Sequence, residues 1–591
     1  MRKVAAIVER EKCHPERCQH ECIKFDPLNR VGKEGFHIGP LGKSEIANEV
    51  VMEFHKISAK KCPFNAIKII NLPEKLDQEP VHRFGQNQFE LFTLPTIKEK
   101  TAVGIIGRNG IGKSTALSIL SGNLRPNLGN FANPASDEQI IEKYKRTIMG
   151  EYFLELLNKK LKLSYKPQRV ELLTQAYEGK VKDLLKAVDE RKVADQLVEE
   201  LDLSNKKNSD IKDLSGGELQ RLAIIAAISK KADVYYFDEP ASFLDIVQRI
   251  KAAKVIKNLA KESSVIVVEH DLATLDYISD EIQIFYGEPA AYGVVSQSKA
   301  VSRGINEYLD GYLPDDNVRF RDYSIKFLQR TESHTVRPEL LYKFNQMEKK
   351  LDDFNLTVDP GELKKGEVLC IMGANGLGKS TFLKLLAGQL TPDKGKVEKI
   401  SFSYKPQYLQ ASNGKTVEDF LKKAAGQEFN TGWFKTNILE KLNIENILPN
   451  MMETLSGGEL QKVLVAATLS SDAKLLILDE PSAFIDVEDR LKLAEVIREF
   501  VSRKAVSAIV VDHDIQFIDY LADSIIVFEG IPGREGKASG IHKKEDGMNK
   551  VLKILDITYR LDQRTLRPRI NKPGSQLDSV QRKQGKYYAF N

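Results

Sequence analysis

The 591-residue sequence predicts an α/β protein with a duplicated phosphate-binding core behind a small cysteine-bearing domain. Three observations predict it. First, Gly107-Arg108-Asn109-Gly110-Ile111-Gly112-Lys113-Ser114 fits G-x-x-x-x-G-K-[ST], and Gly373-Ala374-Asn375-Gly376-Leu377-Gly378-Lys379-Ser380 fits it again. Second, each loop follows an apolar strand-like run (102–106; 368–372) and opens a helix-like run (115–120; 381–386) closed by Gly122 or Gly388. Third, four of the five cysteines, Cys13, Cys18, Cys22 and Cys62, fall in the first 62 residues.

The phosphate loops have a physical reading. Glycines let backbone N–H groups wrap phosphate oxygens at angles a side chain would forbid. Lys113 and Lys379 add charge to the outer phosphates, and the Ser114 and Ser380 hydroxyls are placed for Mg²⁺. Gly107, Asn109, Gly110, Gly112 and Thr115, with Gly373, Asn375, Gly376, Gly378 and Thr381, complete the phosphate-binding candidates. The helix N-terminus behind each loop adds its dipole.

Bulk properties bound the class. Length allows about three to five domains. Hydrophobic content of 42% and charged content of 29% are those of soluble globular protein. No apolar run reaches the ~18 residues of a membrane helix, and Met1-Arg2-Lys3-Val4 has no signal-peptide core. A cytoplasmic protein with no membrane contact is expected. Net charge is only +5, but Arg560, Arg564, Arg567, Arg569, Lys572, Arg582, Lys583 and Lys586 make the C-terminus basic. That tail reads either as contact with nucleic acid or an acidic partner, or as a solvated surface.

Early clustering of the cysteines argues for a metal site over a disulfide framework. Cys13, Cys18 and Cys22 precede Asp26-Pro27, and Cys62-Pro63 follows later. The pattern resembles a two-cluster bacterial-type ferredoxin, whose cysteine runs end in C-x₃-C-P. This sequence departs from it at four ligand positions: Asp26, Met52, His55 and Ser58. In such ferredoxins the fourth cysteine of each run ligates the other cluster. Cys13, Cys18, Cys22 and Cys62 are then one complete set, and the other set is wholly lost. Random loss would spare a complete set in about one case in 35 under that exchange rule. One [4Fe–4S] cluster with the second absent is expected. Zn²⁺ on the same thiolates, or no metal, are the alternatives. Cys370, on the apolar run before the second loop, reads as a core residue.

Downstream of the first loop come Tyr165-Lys166-Pro167-Gln168, Leu214-Ser215-Gly216-Gly217-Glu218, Phe237-Asp238-Glu239-Pro240, Asp245 and Val268-Glu269-His270-Asp271. The second copy repeats them as Tyr404-Lys405-Pro406-Gln407, Leu455-Ser456-Gly457-Gly458-Glu459, Asp479-Glu480-Pro481, Asp486 and Asp512-His513. This order resembles an ATP-binding cassette twice over. The resemblance implies Mg²⁺ held by Ser114, Gln168 and Asp238, and by Ser380, Gln407 and Asp479. It implies Glu239 and Glu480 as general bases, Gln168 and Gln407 bridging metal and water, and His270 and His513 on the γ-phosphate. Ser215 with Gly217, and Ser456 with Gly458, would each cover the ATP of the opposite cassette. Phe84 and Phe89 are candidates to stack on the first adenine.

The copies are unequal. Ser215 and Ser456 are 241 residues apart, as are Asp238 and Asp479, but Lys113 and Lys379 are 266 apart. The first cassette therefore carries an insert within about 125–162, whose periodicity over 138–144 and 152–161 reads as a solvent-facing helix-loop-helix and a docking element. After each cassette an echo appears, Gly304-Ile305-Asn306 and Gly547-Met548-Asn549. Each leads to a basic-aromatic stretch expected to lie outside both cores as a hinge.

The whole resembles subfamily E of the ATP-binding cassette proteins, the RNase L inhibitor or ribosome-recycling family. The resemblance implies two tandem ABC-type P-loop domains head to tail, with a small N-terminal ferredoxin-like α+β domain. The expected divisions are 1–72, 73–298, hinge 299–338, 339–545, and 546–591 for the second hinge and basic tail. It implies an ATP hydrolase that splits ribosomes after termination or rescue and acts with the small subunit in initiation. The implied partners are the ribosome, mainly rRNA and protein of its small subunit, and a termination or rescue factor. The chain would be a monomer whose cassettes pair within it. A subfamily F-like translation factor and a transporter ATPase subunit are the rival readings.

Overall fold

Each phosphate loop leaves a fully buried strand, Ala102–Ile106 or Val368–Met372, and turns directly into a helix, Lys113–Leu120 or Lys379–Leu386. The computed structural model describes residues 4–47, 50–71, 79–327, 339–398, 400–407 and 414–588. Both strands are uninterrupted apolar runs because parallel neighbours flank them and helices cover both faces. In the first cassette the central parallel order is Glu281–Glu288, Ala102–Ile106, Ser264–Val268, Val234–Asp238, Leu163–Lys166, with antiparallel strands at one edge. The second sheet repeats that order. The duplication read from motifs is thus a duplication of topology. The boundary drawn at 72/73 and residues 328–338 of the first hinge lie outside the described residues.

The insert holds two helices, Asp137–Tyr144 and Gly150–Leu157, the first capped by Ser136. The expectation that it faces solvent needs correction. Ile140, Tyr144, Met149, Tyr152 and Phe153 are buried in the same core as Leu117 and Leu120 of the phosphate-loop helix. The Tyr152 and Tyr236 hydroxyls meet at 2.5 Å, which ties the insert to strand Val234–Asp238. The outer faces of its helices and the turn between them are exposed, with Ile148 at 78%.

The hinges are also redrawn. Their helices, Val301–Asp310 and Lys544–Ile554, are not outside the cores but lie on the sheets of their own cassettes. The echoed glycines explain themselves here. A Cβ on Gly304 would stand 2.9 Å from Ile282, and one on Gly547 2.6 Å from Ile525. What crosses between cassettes is the chain beyond these helices. Tyr323 donates to Glu488 of the second cassette, with Arg321 3.8 Å from the same carboxylate. From the other side Arg567 and Arg569 reach Asp276 of the first cassette, and Arg564 reaches Asp310.

Part of the basic tail is thus neutralised within the chain. Arg564, Arg567, Arg569 and Arg582 all face carboxylates of this chain, and Arg567 is fully buried. At the N-terminus, Val4–Val8 pairs antiparallel with Ile67–Asn71 and closes the small domain on itself. No helix among the described residues is long and apolar enough to cross a membrane.

Asp276→Asn leaves the buried Arg567 guanidinium without its counter-charge and should cost about 3–5 kcal/mol in denaturant unfolding. Burial alone would raise the Asp276 carboxyl, but Arg567 and Arg569 outweigh it and hold it below its ordinary 3.8. A carboxyl lowered on folding stabilises fully above its unfolded value and less as pH falls through the folded one. The wild-type advantage over Asp276→Asn should therefore shrink below about pH 4.

Candidate active sites between the cassettes

Glycine is required where the loop enters its helix. Gly112 and Gly378 cap the helices at φ +94° and +89°, and a Cβ there would meet the rings of Phe89 at 2.6 Å and Phe354 at 2.9 Å. Phe89 thus lies against the first loop. Phe84 is half exposed, its ring 6.4 Å from that of Phe89. Phe354, the counterpart of Phe89, escaped the sequence reading. Its separation of 265 residues from Phe89, against 266 for the lysines, was the signal that finds it.

Lys113 Nζ donates to the carbonyls of Gly107 and Arg108 at 2.9 and 2.7 Å, and Lys379 to those of Gly373 and Ala374 at 2.8 Å each. Burial pulls both ammonium groups down, Lys379 to about 8, against the pull of nearby carboxylates.

Asp238 and Asp479 end the parallel strands Val234–Asp238 and Leu475–Asp479. Burial, then the adjacent glutamate, pushes both carboxyls up, Asp479 to about 6. Among the described residues the buried Asp238 Oδ1 has no hydrogen-bond partner, while Oδ2 accepts from the Tyr165 hydroxyl at 3.4 Å and the Ser114 hydroxyl helps lower this carboxyl. An acidic group with an orphaned oxygen beside a serine hydroxyl and a phosphate loop suits Mg²⁺.

Glu239 and Glu480 behave oppositely. Burial opposes their ionisation, but His270 and Lys113 outweigh it at Glu239, and His513 and Lys379 at Glu480, holding both at about 2. Gln168 Nε2 donates to Glu239 Oε1 at 2.7 Å, with His270 Nε2 3.5 Å away. At the second site Gln407 stands at 2.6 Å and His513 at 3.4 Å. Among the described residues neither ring nitrogen of His270 or His513 has a hydrogen-bond partner. Each site therefore gathers an acceptor that stays ionised beside one that resists ionisation. They differ at the base: Ser242 donates to Glu239 Oε2 at 3.0 Å, where the second site has Ala483.

Asp245 and Asp486 bring the cassettes together head to tail. One oxygen of each caps its own helix, accepting from Gln248 N–H at 2.9 Å or Asp489 N–H at 3.0 Å. The other crosses the interface, from Asp245 to Asn375 N–H at 2.8 Å and from Asp486 to Asn109 N–H at 3.3 Å. Phe243 and Phe484 meet between them, ring centroids 5.9 Å apart. Ser215 and Ser456 cap the signature helices Gly216–Ser229 and Gly457–Leu469, their hydroxyls on Glu218 and Glu459 of the same helix. The structure thus joins Lys, Asp, Glu, Gln and His within each cassette, and joins the opposite cassette to the loop through aspartate rather than serine.

In the small domain Cys13, Cys18, Cys22 and Cys62 line one cavity with Phe64, Ile38 and Ile67. Ser44 N–H points at Cys13 Sγ and Ala66 N–H at Cys62 Sγ, both at 3.4 Å. Burial pushes the thiols of Cys13, Cys18 and Cys22 up. Three of the four non-cysteine positions also meet. Asp26 Oδ2 accepts from Ser58 Oγ at 3.1 Å, with His55 Nε2 3.5 Å away, and all three side chains are fully buried.

The chain matches the family described as "ABC transporter" over residues 95–242 and 354–483, and "Possible Fer4-like domain in RNase L inhibitor" over residues 5–34. It is 47% identical over 587 residues to an uncharacterized ABC transporter ATP-binding protein of Methanocaldococcus jannaschii, covering 99% of this chain and 97% of that one. To translation initiation factor RLI1 of Saccharomyces cerevisiae it is 41% identical over 594 residues, covering 99% and 98%. A structure of ribosome-bound archaeal Pelota and ABCE1 superposes with a TM-score of 0.93 at 45% identity, covering 99% of each chain. The archaeal ribosome recycling factor in complex with stalk protein aP1 gives 0.83 at 46%, covering 86% of this chain and 99% of that one.

A Cβ on Gly458 would stand 2.8 Å from the Phe484 carbonyl oxygen, and one on Gly217 2.9 Å from that of Phe243. Gly458→Ala should therefore displace the segment carrying Asp486, at a cost of about 1–3 kcal/mol. Lower ATP turnover with a matching loss in thermal unfolding is the expected result.

Proposed function

The chain belongs to the RNase L inhibitor family, subfamily E of the ATP-binding cassette proteins, and from that premise we propose that it splits ribosomes into subunits after termination or rescue and also acts with the small subunit in initiation. The observation that carries this reading is the match, over 99% of both chains, to the factor described on the ribosome with Pelota. Its partners are then the ribosome, mainly the small subunit, and a termination or rescue factor, in a cytoplasmic setting. The chain works as a monomer, since both halves of each site come from within it.

The two cassettes are ATPase domains. In each, the phosphate loop and the lysine bind the outer phosphates, and the opposite cassette closes over them. Asp245 and Asp486 already bond to the opposite loops, so ATP bound there is sensed by both cassettes. Ser215 with Gly217, and Ser456 with Gly458, complete the opposite sites. Glu239 and Glu480 accept a proton from the attacking water. Gln168 and His270, or Gln407 and His513, orient that carboxylate and the γ-phosphate. Ser114 with Asp238, and Ser380 with Asp479, hold Mg²⁺, which neutralises charge on the β- and γ-phosphate oxygens. Phe89 and Phe354 flank the nucleotide side of each loop.

For the small domain, one [4Fe–4S] cluster on Cys13, Cys18, Cys22 and Cys62 fits best. Tetrahedral zinc would draw thiolates to roughly 3.8 Å of one another. Zinc sites usually take cysteines in close pairs from two places, whereas here three thiols come from one run and one from another around a single cavity. A bound cluster would cross-link segments 13–22 and 62. The second ligand set does not fit a cluster, because the Ser58–Asp26 hydrogen bond and the His55 ring beside that carboxylate fill the place.

Three measurements test this. Glu239→Gln with Glu480→Gln should cut ATP turnover by about 10²-fold or more while nucleotide still binds; unchanged turnover would remove the base assignment. Co-sedimentation with small ribosomal subunits should require a non-hydrolysable ATP analogue, and its absence sinks the recycling role. Anaerobically purified protein should carry iron and sulfide for one cluster; none, or enough for two, defeats that part.

A further inference from the structure

Glu239 and Glu480 stand in backbone that side chains rarely adopt, at φ +47° and +48°. A non-glycine residue stays there only where its surroundings hold it. The N–H of Glu239 donates to Val268 O at 2.9 Å, and that of Glu480 to Val511 O at 2.7 Å. The carbonyls are held by side chains that no motif role has used. Glu239 O accepts from Gln220 Nε2 at 2.7 Å and Lys166 Nζ at 3.2 Å. Glu480 O accepts from Gln461 Nε2 at 2.5 Å and Lys405 Nζ at 3.2 Å.

Each lysine holds a second carbonyl. Lys166 Nζ lies 2.8 Å from Asp238 O, and Lys405 Nζ 2.7 Å from Asp479 O. Consecutive carbonyls of an extended strand point to opposite sides. One ammonium can bond to both only if the chain turns between them. The lysine therefore selects the turned backbone at the point where the strand gives way to the glutamate. All four side chains are buried to 1% or less. A buried ammonium is costly unless it is bonded and charge-compensated, and here the peptide oxygens and the two carboxylates beyond them serve that purpose. The arrangement occurs twice in cassettes that differ nearby, as at Tyr236 and Ile477 or Val247 and Glu488.

We propose that Lys166 with Gln220, and Lys405 with Gln461, are positioning residues that lock the backbone of the general base in its turned conformation. Relaxing that turn would redirect the Cβ and carry the carboxylate away from Gln168 and His270, or from Gln407 and His513. This rests on reading Glu239 and Glu480 as the bases. None of the four touches the phosphate loops, so their loss should lower kcat and leave KM for ATP in place.

The test uses the full chain in two backgrounds, Glu480→Gln, where the first site turns over, and Glu239→Gln, where the second does. Lys166→Met in the Glu480→Gln background should lower kcat about tenfold or more, with KM for ATP within about twofold. Lys166→Arg should recover part of that loss. In the Glu239→Gln background Lys166→Met should change turnover by less than about twofold, and Lys405→Met should show the mirror pattern. Equal losses in both backgrounds, a raised KM at constant kcat, or no loss would each overturn the proposal. If Lys166→Met does not fold, Gln220→Leu is read in the same way. Turnover in the Glu239→Gln, Glu480→Gln double variant defeats the base reading itself; an inactive double variant with a neutral Lys166→Met defeats only the positioning role.

Discussion

Asp245 and Asp486 each divide one carboxylate between two backbone N–H groups, one in their own cassette and one in the other. The geometry of both ATP sites depends on that division. The capping oxygen fixes where the helices Ile246–Leu259 and Val487–Lys504 begin. The other oxygen fixes where the opposite phosphate loop sits relative to that helix. A shift of one cassette against the other must break or lengthen these bonds, so the relative position of the cassettes and the state of the loops are one variable. The interface core runs through the same place, since Ile246, Ile250 and Ala273 pack with the apolar core of the second cassette.

Around this near-symmetric centre several contacts are made by the first site alone. Arg108 in the first loop lies 3.8 Å from Glu488, a carboxylate that also takes Tyr323 and Arg321 of the first hinge. The second loop has Ala374 and the first cassette Val247 at the matching positions. Ser242 supports Glu239, where Ala483 offers Glu480 nothing. The insert reaches the strand of Asp238 through Tyr152 and Tyr236, and Ile477 takes that place in the other copy. The first ATP site is thus wired to the hinge and to the insert in ways the second is not.

In the small domain Asp26, His55 and Ser58 form a buried polar group. Asp26 caps helix Pro27–Arg30 with one oxygen and accepts from Ser58 with the other, while Phe36 meets the His55 ring edge-on and Phe54 lies tilted beside it. Cys13, Cys18, Cys22 and Cys62 line a cavity in the same domain.

Much of this was legible in the sequence, because phosphate loops, parallel strands ending in carboxylates, and capping boxes are local devices. Gly112, Ser215 and Asp238 act through bonds made within a few residues or to an adjacent strand, and their spacing declares them. The duplication and the position of the insert followed from differences of residue number alone. Tertiary structure decided what depends on surfaces meeting. It put the insert's inner face in the core, laid the hinge helices on their own sheets, and paired the basic tail with Asp276 and Asp310. It also aimed Lys166 and Gln220 at a carbonyl that no sequence pattern marks. A sequence records which groups carry charge or apolar area. Which of them face one another across a fold is set by packing between segments hundreds of residues apart, and no local spacing encodes that.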